Sequence, residues 1–148
     1  METFAVDSSV LVKWFKKGED FENEALKLRQ DILSSKVKVL VSELTILEVC
    51  RALIKVGYPV EKVKEAYATL SDMEDLDFLR SAPTVKLRSE AKDLMVELNL
   101  YVADALHLAV ATVNFSNLLT EDRHLLKREV KEFMRKKELK IIRLKEMY

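Results

Sequence analysis

Four acidic residues, Asp7, Glu48, Asp104 and Asp122, stand where a chain of alternating strands and helices would bring carboxylates together. Asp7 ends the apolar run Phe4-Ala5-Val6. Glu48 lies in the helical stretch after a β-rich run, Asp104 opens an alanine-rich helix, and Asp122 follows Leu118-Leu119-Thr120. Functional groups of an open parallel α/β sheet gather beyond the carboxyl ends of its strands. Asp7 and Asp122 therefore become neighbours if their strands pair, and Glu48 and Asp104 project toward them from nearby helix starts. Carboxylates a few ångströms apart repel and resist full ionisation. A hard divalent cation such as Mg²⁺ or Mn²⁺, with oxygen ligands and retained waters, resolves that conflict. Such an ion activates water and stabilises charge on a phosphate, so the cluster implies phosphodiester chemistry more readily than acyl transfer or redox chemistry.

Each acid also has an ordinary explanation. Asp and Glu are favoured at helix starts by capping and by the helix dipole. Thr45 to Glu48 has the spacing of a capping box, and Asp122 could cap the last helix. Asp104 fits this explanation least well, because it interrupts an otherwise apolar helix where an unpaired carboxylate is costly.

The elements that must position these groups follow from periodicity. Strands are expected at Phe4–Val6, Val37–Val41, Leu76–Leu79, Leu118–Thr120 and Leu139–Leu144. Helices are expected over Ser8–Lys16, Phe21–Leu33, Leu44–Val56, from Pro59 to about Met73, and over Val85–Leu98, Val102–Val113 and Asp122–Lys137. The alternation predicts a parallel sheet covered on both faces. With no repeat and no Pro/Gly/Ser linker, residues 1–148 are expected to form one domain.

Composition narrows the class. The chain is 49 % hydrophobic, which argues against disorder. Basic and acidic residues balance at 25 each, but their distribution is uneven: Arg123 to Tyr148 holds ten Lys or Arg against four Glu, a basic segment able to meet phosphates. Cys50 is the only cysteine and is expected to be a buried thiol, in keeping with a reducing cytoplasm. The first residues carry no signal-peptide pattern and no apolar run is long enough to span a bilayer, so a cytoplasmic protein with no membrane partner is expected.

The segments around the four acids form a recognisable set. Phe4-Ala5-Val6-Asp7-Ser8-Ser9, Glu43-Leu44-Thr45-Ile46-Leu47-Glu48-Val49, Asp104-Ala105-Leu106-His107-Leu108-Ala109-Val110-Ala111 and Leu118-Leu119-Thr120-Glu121-Asp122 together resemble the PIN-domain family along nearly the whole chain. The resemblance implies an α/β/α sandwich around a mostly parallel sheet and an endoribonuclease dependent on Mg²⁺ or Mn²⁺. Within the family, the resemblance points to the toxin of a VapC-type toxin–antitoxin pair. Carried over, Asp7, Glu48, Asp104 and Asp122 become the metal-binding acids. Ser8 and Thr120 match small hydroxyl positions, Ser8 to hold Asp7 or a water and Thr120 to orient Asp122. The implied partners are an RNA substrate, a cognate antitoxin and a second copy of the chain in a homodimer. Where some relatives carry a further acid two positions beyond Asp122, this chain has His124.

Other readings fit less well. A haloacid-dehalogenase-type phosphatase needs an Asp two residues after Asp7, where Ser9 stands, and the order of acids does not match a receiver domain. No glycine-rich phosphate loop is present. The alternative is a PIN fold that binds RNA or protein without cutting. His107, Trp14, Phe15, Phe133, Met134 and Leu139 are expected to be structural, and Arg51, one turn after Glu48, is placed to pair with it or with a phosphate.

Overall fold

A computed structural model describes all 148 residues. Five parallel strands form one sheet: β1 (Glu2–Val6), β2 (Val37–Ser42), β3 (Leu79–Ala82), β4 (Asn117–Leu119) and β5 (Ile141–Ile142). Their order across the sheet is β3-β2-β1-β4-β5. The chain therefore moves outward from β1 in one direction and then, through β4, in the other. Val6 lies opposite Leu119, so the ends of β1 and β4 are level at this reversal point.

Strand side chains alternate between the two faces with period two, and each face builds its own core. Phe4, Val6, Val39, Val41 and Leu119 enter one cluster. Covering that face are α1 (Ser8–Leu11), which runs into a 3-10 turn at Val12–Trp14, α2 (Glu22–Leu33), α3 (Thr45–Lys55) and α4 (Val60–Asp75). Ala5, Leu40 and Leu118 enter the other cluster, beneath α5 (Thr84–Leu98), α6 (Val102–Val113) and α7 (Arg128–Lys136). This is the expected α/β/α sandwich. A final turn of helix, α8 (Leu144–Met147), returns Leu144 to the first cluster.

Several boundaries differ from expectation, among them the first helix, which is α-helical only to Leu11 and ends at Trp14 rather than Lys16. α4 runs on to Asp75, and Asp77 turns the chain with φ +62°, so β3 begins at Leu79 rather than Leu76. Residues 122–127 form turns, and α7 starts only at Arg128, with Lys127 as its N-cap. The last strand shrinks to Ile141–Ile142, because Glu146 accepts the Arg143 N–H and starts a helical turn. Trp14, Phe15, Cys50, Met134 and Leu139 are buried, as expected of core residues. No single helix is long and apolar enough to cross a membrane.

Candidate active site

Asp7 leaves the carboxyl end of the central strand and is 1 % exposed. It occupies the N-cap position of α1, yet its side chain makes no capping hydrogen bond. Both oxygens are instead taken by hydroxyls: Ser9 Oγ donates to Oδ1 at 2.6 Å and Thr120 Oγ1 donates to Oδ2 at 2.9 Å. Each hydroxyl is itself an acceptor. Ser9 Oγ receives the Glu121 N–H at 2.9 Å, and Thr120 Oγ1 receives the Asp122 N–H at 3.0 Å. Each hydroxyl thus accepts one backbone N–H and gives its proton to Asp7. Two donors on one side chain favour the ionised carboxylate, which accepts at both oxygens. Burial opposes that ionisation and raises the Asp7 pKa to about 6, against the lowering influence of His107 and the two hydroxyls, with Asp122 adding to the rise.

The hydroxyl that holds Asp7 belongs to Ser9, not to the expected Ser8. Thr120 acts as expected on Asp122, through that residue's backbone, and additionally grips Asp7. Asp122 does not cap a helix: its Oδ1 accepts the His124 N–H at 2.8 Å, closing an Asx turn that fixes the loop after β4.

The remaining two acids come from helices on opposite faces of the sheet. Glu48 lies in the first turn of α3 and forms no capping box; Thr45 Oγ1 is in contact with Ser42 Oγ. Its Oε1 meets His107 Nε2 at 2.5 Å. His107 is 3 % exposed, and its Nδ1 is buried without a hydrogen-bond partner. Burial depresses the imidazole pKa, but the Glu48 contact and the nearby charges of Asp7, Glu48 and Asp104 outweigh this and raise it. His107 is thus a structural link, tying α6 to α3. Arg51 is exposed and forms no ion pair with Glu48.

Asp104, in the first turn of α6, is half-buried, and its side chain caps nothing. Burial raises its pKa, as do Asp122 and Glu48, while His124 and His107 lower it. Capping thus accounts for none of the four carboxylates. Asp104 and Asp122 face each other electrostatically, and Asp104 feels Glu48 as well.

In this conformation no three Asp, Glu, His or Cys side chains converge closely enough to enclose a metal ion. Bare carboxylates hold apart by repulsion. Mg²⁺ commonly binds through one or two carboxylates and keeps its waters, so it does not require a closed cage. The donor set fits such a cation: the chemistry is hard oxygen, Asp7 is fixed as an acceptor, and the only nearby imidazole nitrogen with a partner is committed to Glu48. None of the larger surface grooves is lined by any of the four acids. Asp7 is buried, while Glu48, Asp104 and Asp122 are partly exposed, outside those grooves.

A family model described as PIN domain matches residues 4–131. The chain belongs to the PIN-domain family. Among solved structures, VapC20 of Mycobacterium tuberculosis, a sarcin-ricin-loop-cleaving toxin, is 20 % identical, with a TM-score of 0.63 over 82 % of this chain and 91 % of that one. PAE2754 from Pyrobaculum aerophilum is 24 % identical, with a TM-score of 0.55 over 99 % of this PIN-domain chain and 93 % of its own. Both share the fold. A search of curated proteins gives no significant match.

Sequence reasoning missed two members of the site. Ser9 carried a signal, since a hydroxyl two residues past a strand-ending Asp can reach back to it. Glu121 carried little, because its contribution to the site is a backbone N–H.

Proposed function

We propose that this PIN-domain chain is a Mg²⁺- or Mn²⁺-dependent endoribonuclease, acting as the toxin of a VapC-type toxin–antitoxin pair in the cytoplasm. The observation that carries the proposal is the buried Asp7 carboxylate, which accepts from two hydroxyls and lies close enough to Asp122 to feel its charge. A module that only binds has no need for four acids suited to a metal. The likeness to VapC20 makes RNA the first substrate to test.

Asp7, Glu48, Asp104 and Asp122 are the residues that would hold the cation. When bound, it would supply an activated water and charge stabilisation at the scissile phosphate. Ser9 and Thr120 hold the Asp7 carboxylate and His107 gives Glu48 one anchor, while Glu48 and Asp104 would close toward the bound cation. The exposed cations Lys127, Arg128 and Lys131 lie on the segment after Asp122 and would attract phosphates along the rim. A cognate antitoxin would place an Arg-rich peptide over the acids, where a guanidinium pairs with carboxylate oxygens through its planar fork. A homodimer is the proposed assembly.

The test is RNA cleavage by purified protein with Mg²⁺, with Mn²⁺ and with EDTA, repeated with added antitoxin. Cleavage that requires the metal and stops with the antitoxin is expected. Metal-bound, well-folded protein that leaves a broad panel of RNAs intact would favour a binding module.

A further inference from the structure

Tyr101 and His124 form an aromatic pair at the edge of the acid site. Their ring centroids are 6.2 Å apart with planes at 79°, an edge-to-face arrangement. Tyr101 is the N-cap of α6, three residues before Asp104; His124 follows Asp122 by two. Both anchor points are fixed. The Tyr101 carbonyl accepts the Ala105 N–H at 2.9 Å, and the His124 N–H is held by the Asp122 carboxylate at 2.8 Å. The backbone positions of the rings are therefore tied to the two acids they flank.

Burial does not explain this pair. Tyr101 is 76 % exposed, whereas Trp14 and Phe15 are packed into the core and cannot meet a ligand. An edge-to-face contact uses at most one face of a ring, so the tyrosine keeps a face open to solvent. The neighbourhood also limits what could grip a nucleic acid here. A Lys or Arg so close to Asp104 and Asp122 would pair with them, while an aromatic face attracts a base without cancelling the carboxylates' charge.

We propose that Tyr101, buttressed by His124, stacks against an unpaired base of single-stranded RNA next to the phosphate presented to the acids. The inference rests on the ribonuclease function proposed above and adds a point at which the substrate is held by its base. Phosphate attraction along Lys127, Arg128 and Lys131 is indifferent to base; a stacking contact requires the base to be unpaired and splayed out.

The experiment measures binding of short, labelled single-stranded oligoribonucleotides by fluorescence anisotropy in EDTA. One set is intact and another carries a single abasic nucleotide at successive positions. Tyr101→Ala is expected to weaken binding of the intact oligonucleotide about tenfold, while Tyr101→Trp stays within about threefold of wild type. His124→Ala should weaken it by a smaller factor. At one abasic position wild type should fall to the Tyr101→Ala level, and Tyr101→Ala should lose nothing more. Neutralising Lys127, Arg128 and Lys131 together should weaken intact and abasic strands alike. Equal binding by Tyr101→Ala and wild type would overturn the stacking contact, as would an equal loss on intact and abasic strands or a failure of wild type to bind any strand. Metal-dependent cleavage of longer RNA is scored separately. Base-dependent binding through Tyr101 without cleavage would leave the stacking contact standing and remove the nuclease, and cleavage without a Tyr101 effect would do the reverse.

Discussion

The two halves of the acid site are held in different ways. At the strand ends, Asp7 is fully buried and anchored by Ser9 and Thr120, which are themselves anchored by the backbone of Glu121 and Asp122. On the helices, Glu48 is partly exposed and has one partner, His107, whose other ring nitrogen is orphaned; Asp104 is half-buried, and nothing but burial and neighbouring charges shifts its pKa. The first half fixes an anion at one point in space. The second leaves carboxylates with room to move toward whatever binds. A site that must accept a hydrated cation and a polymer gains from one rigid reference point and adaptable partners around it.

The strongest way to break the comparison is to neutralise one acid from each half. Asp7→Asn and Asp104→Asn should each reduce metal-dependent RNA cleavage by on the order of 10³-fold or more, since the charge stabilisation lost is worth several kcal/mol. The folds should survive, because an amide nearly matches a carboxylate in size, although at position 7 its NH₂ faces a hydroxyl donor and should cost about 1–3 kcal/mol. Full cleavage by either variant, with far-UV circular dichroism intact, would remove that acid from the site. Mg²⁺ or Mn²⁺ should also raise the melting temperature of wild type, and less so that of Asp104→Asn, because a ligand that binds the folded state stabilises it by mass action.

The rigid half should leave a mark on stability against pH that the adaptable half does not match. Burial lifts the Asp7 pKa to about 6 from an ordinary value of 3.8. Below about pH 4 the carboxyl is protonated whether folded or unfolded. Between there and about pH 6 the folded state holds a proton that the unfolded state has released, so stability falls as pH rises. The total is on the order of 3 kcal/mol, complete above the folded pKa. Asp7→Asn should lack this fall. Urea denaturation of both proteins in EDTA between pH 4 and 8 isolates it, because contributions from other groups cancel in the difference. Parallel curves would mean that Asp7 is not desolvated.

The same contrast separates what the sequence discloses from what it conceals. The strands and their parallel sheet are legible in the β-rich apolar runs and the alternation with helices, whereas the order across the sheet is not; Asp7 and Asp122 come near each other because β1 and β4 are neighbours. The hydroxyl was displaced by one residue, to Ser9, because which side chain of a first helical turn reaches backward depends on the backbone angle at Asp7, which the residue types do not specify. Asp122 to Lys127 has the charge and apolar spacing of a helix, yet the Asp122 side chain bonds its own loop backbone and delays α7 to Arg128. Such competition between side chain and backbone is local but leaves no periodic trace. The Glu48–His107 contact joins residues 59 apart across two helices, and only the fold brings them together.

A smaller effect comes from removing one support in each half. Thr120→Val keeps the shape but withdraws the proton from Asp7 and leaves the Asp122 N–H without its acceptor. It should cost about 1–3 kcal/mol and lower cleavage about 10- to 100-fold. His107→Leu frees Glu48 and should lower cleavage by a similar factor, but it also removes the orphaned Nδ1 from an apolar helix face, so its stability should stay within about 1 kcal/mol of wild type. Melting curves beside initial rates distinguish the two. An equal thermal loss would show that the two halves are equally rigid.

The smallest expected effect on activity tests how far the rigid half extends. Glu121 serves it through its backbone N–H, which holds Ser9, while its carboxylate faces the other way. Oε1 accepts from Arg143 Nη2 at 2.8 Å, and Oε2 accepts the Leu144 N–H at 2.9 Å, fastening the start of α8. In Glu121→Gln the amide oxygen can still meet Arg143, but the NH₂ group confronts the Leu144 N–H, donor against donor. Loss of a charge-assisted bond and this mismatch should lower stability by about 1–2 kcal/mol. Cleavage should stay within about threefold of wild type, because the peptide N–H that supports Ser9 does not depend on the side-chain charge. If Glu121→Gln instead slows cleavage as much as Thr120→Val, the C-terminal fastening and the Asp7 hydroxyls move as one unit, and the rigid reference point extends from the sheet centre to the last turn of the chain.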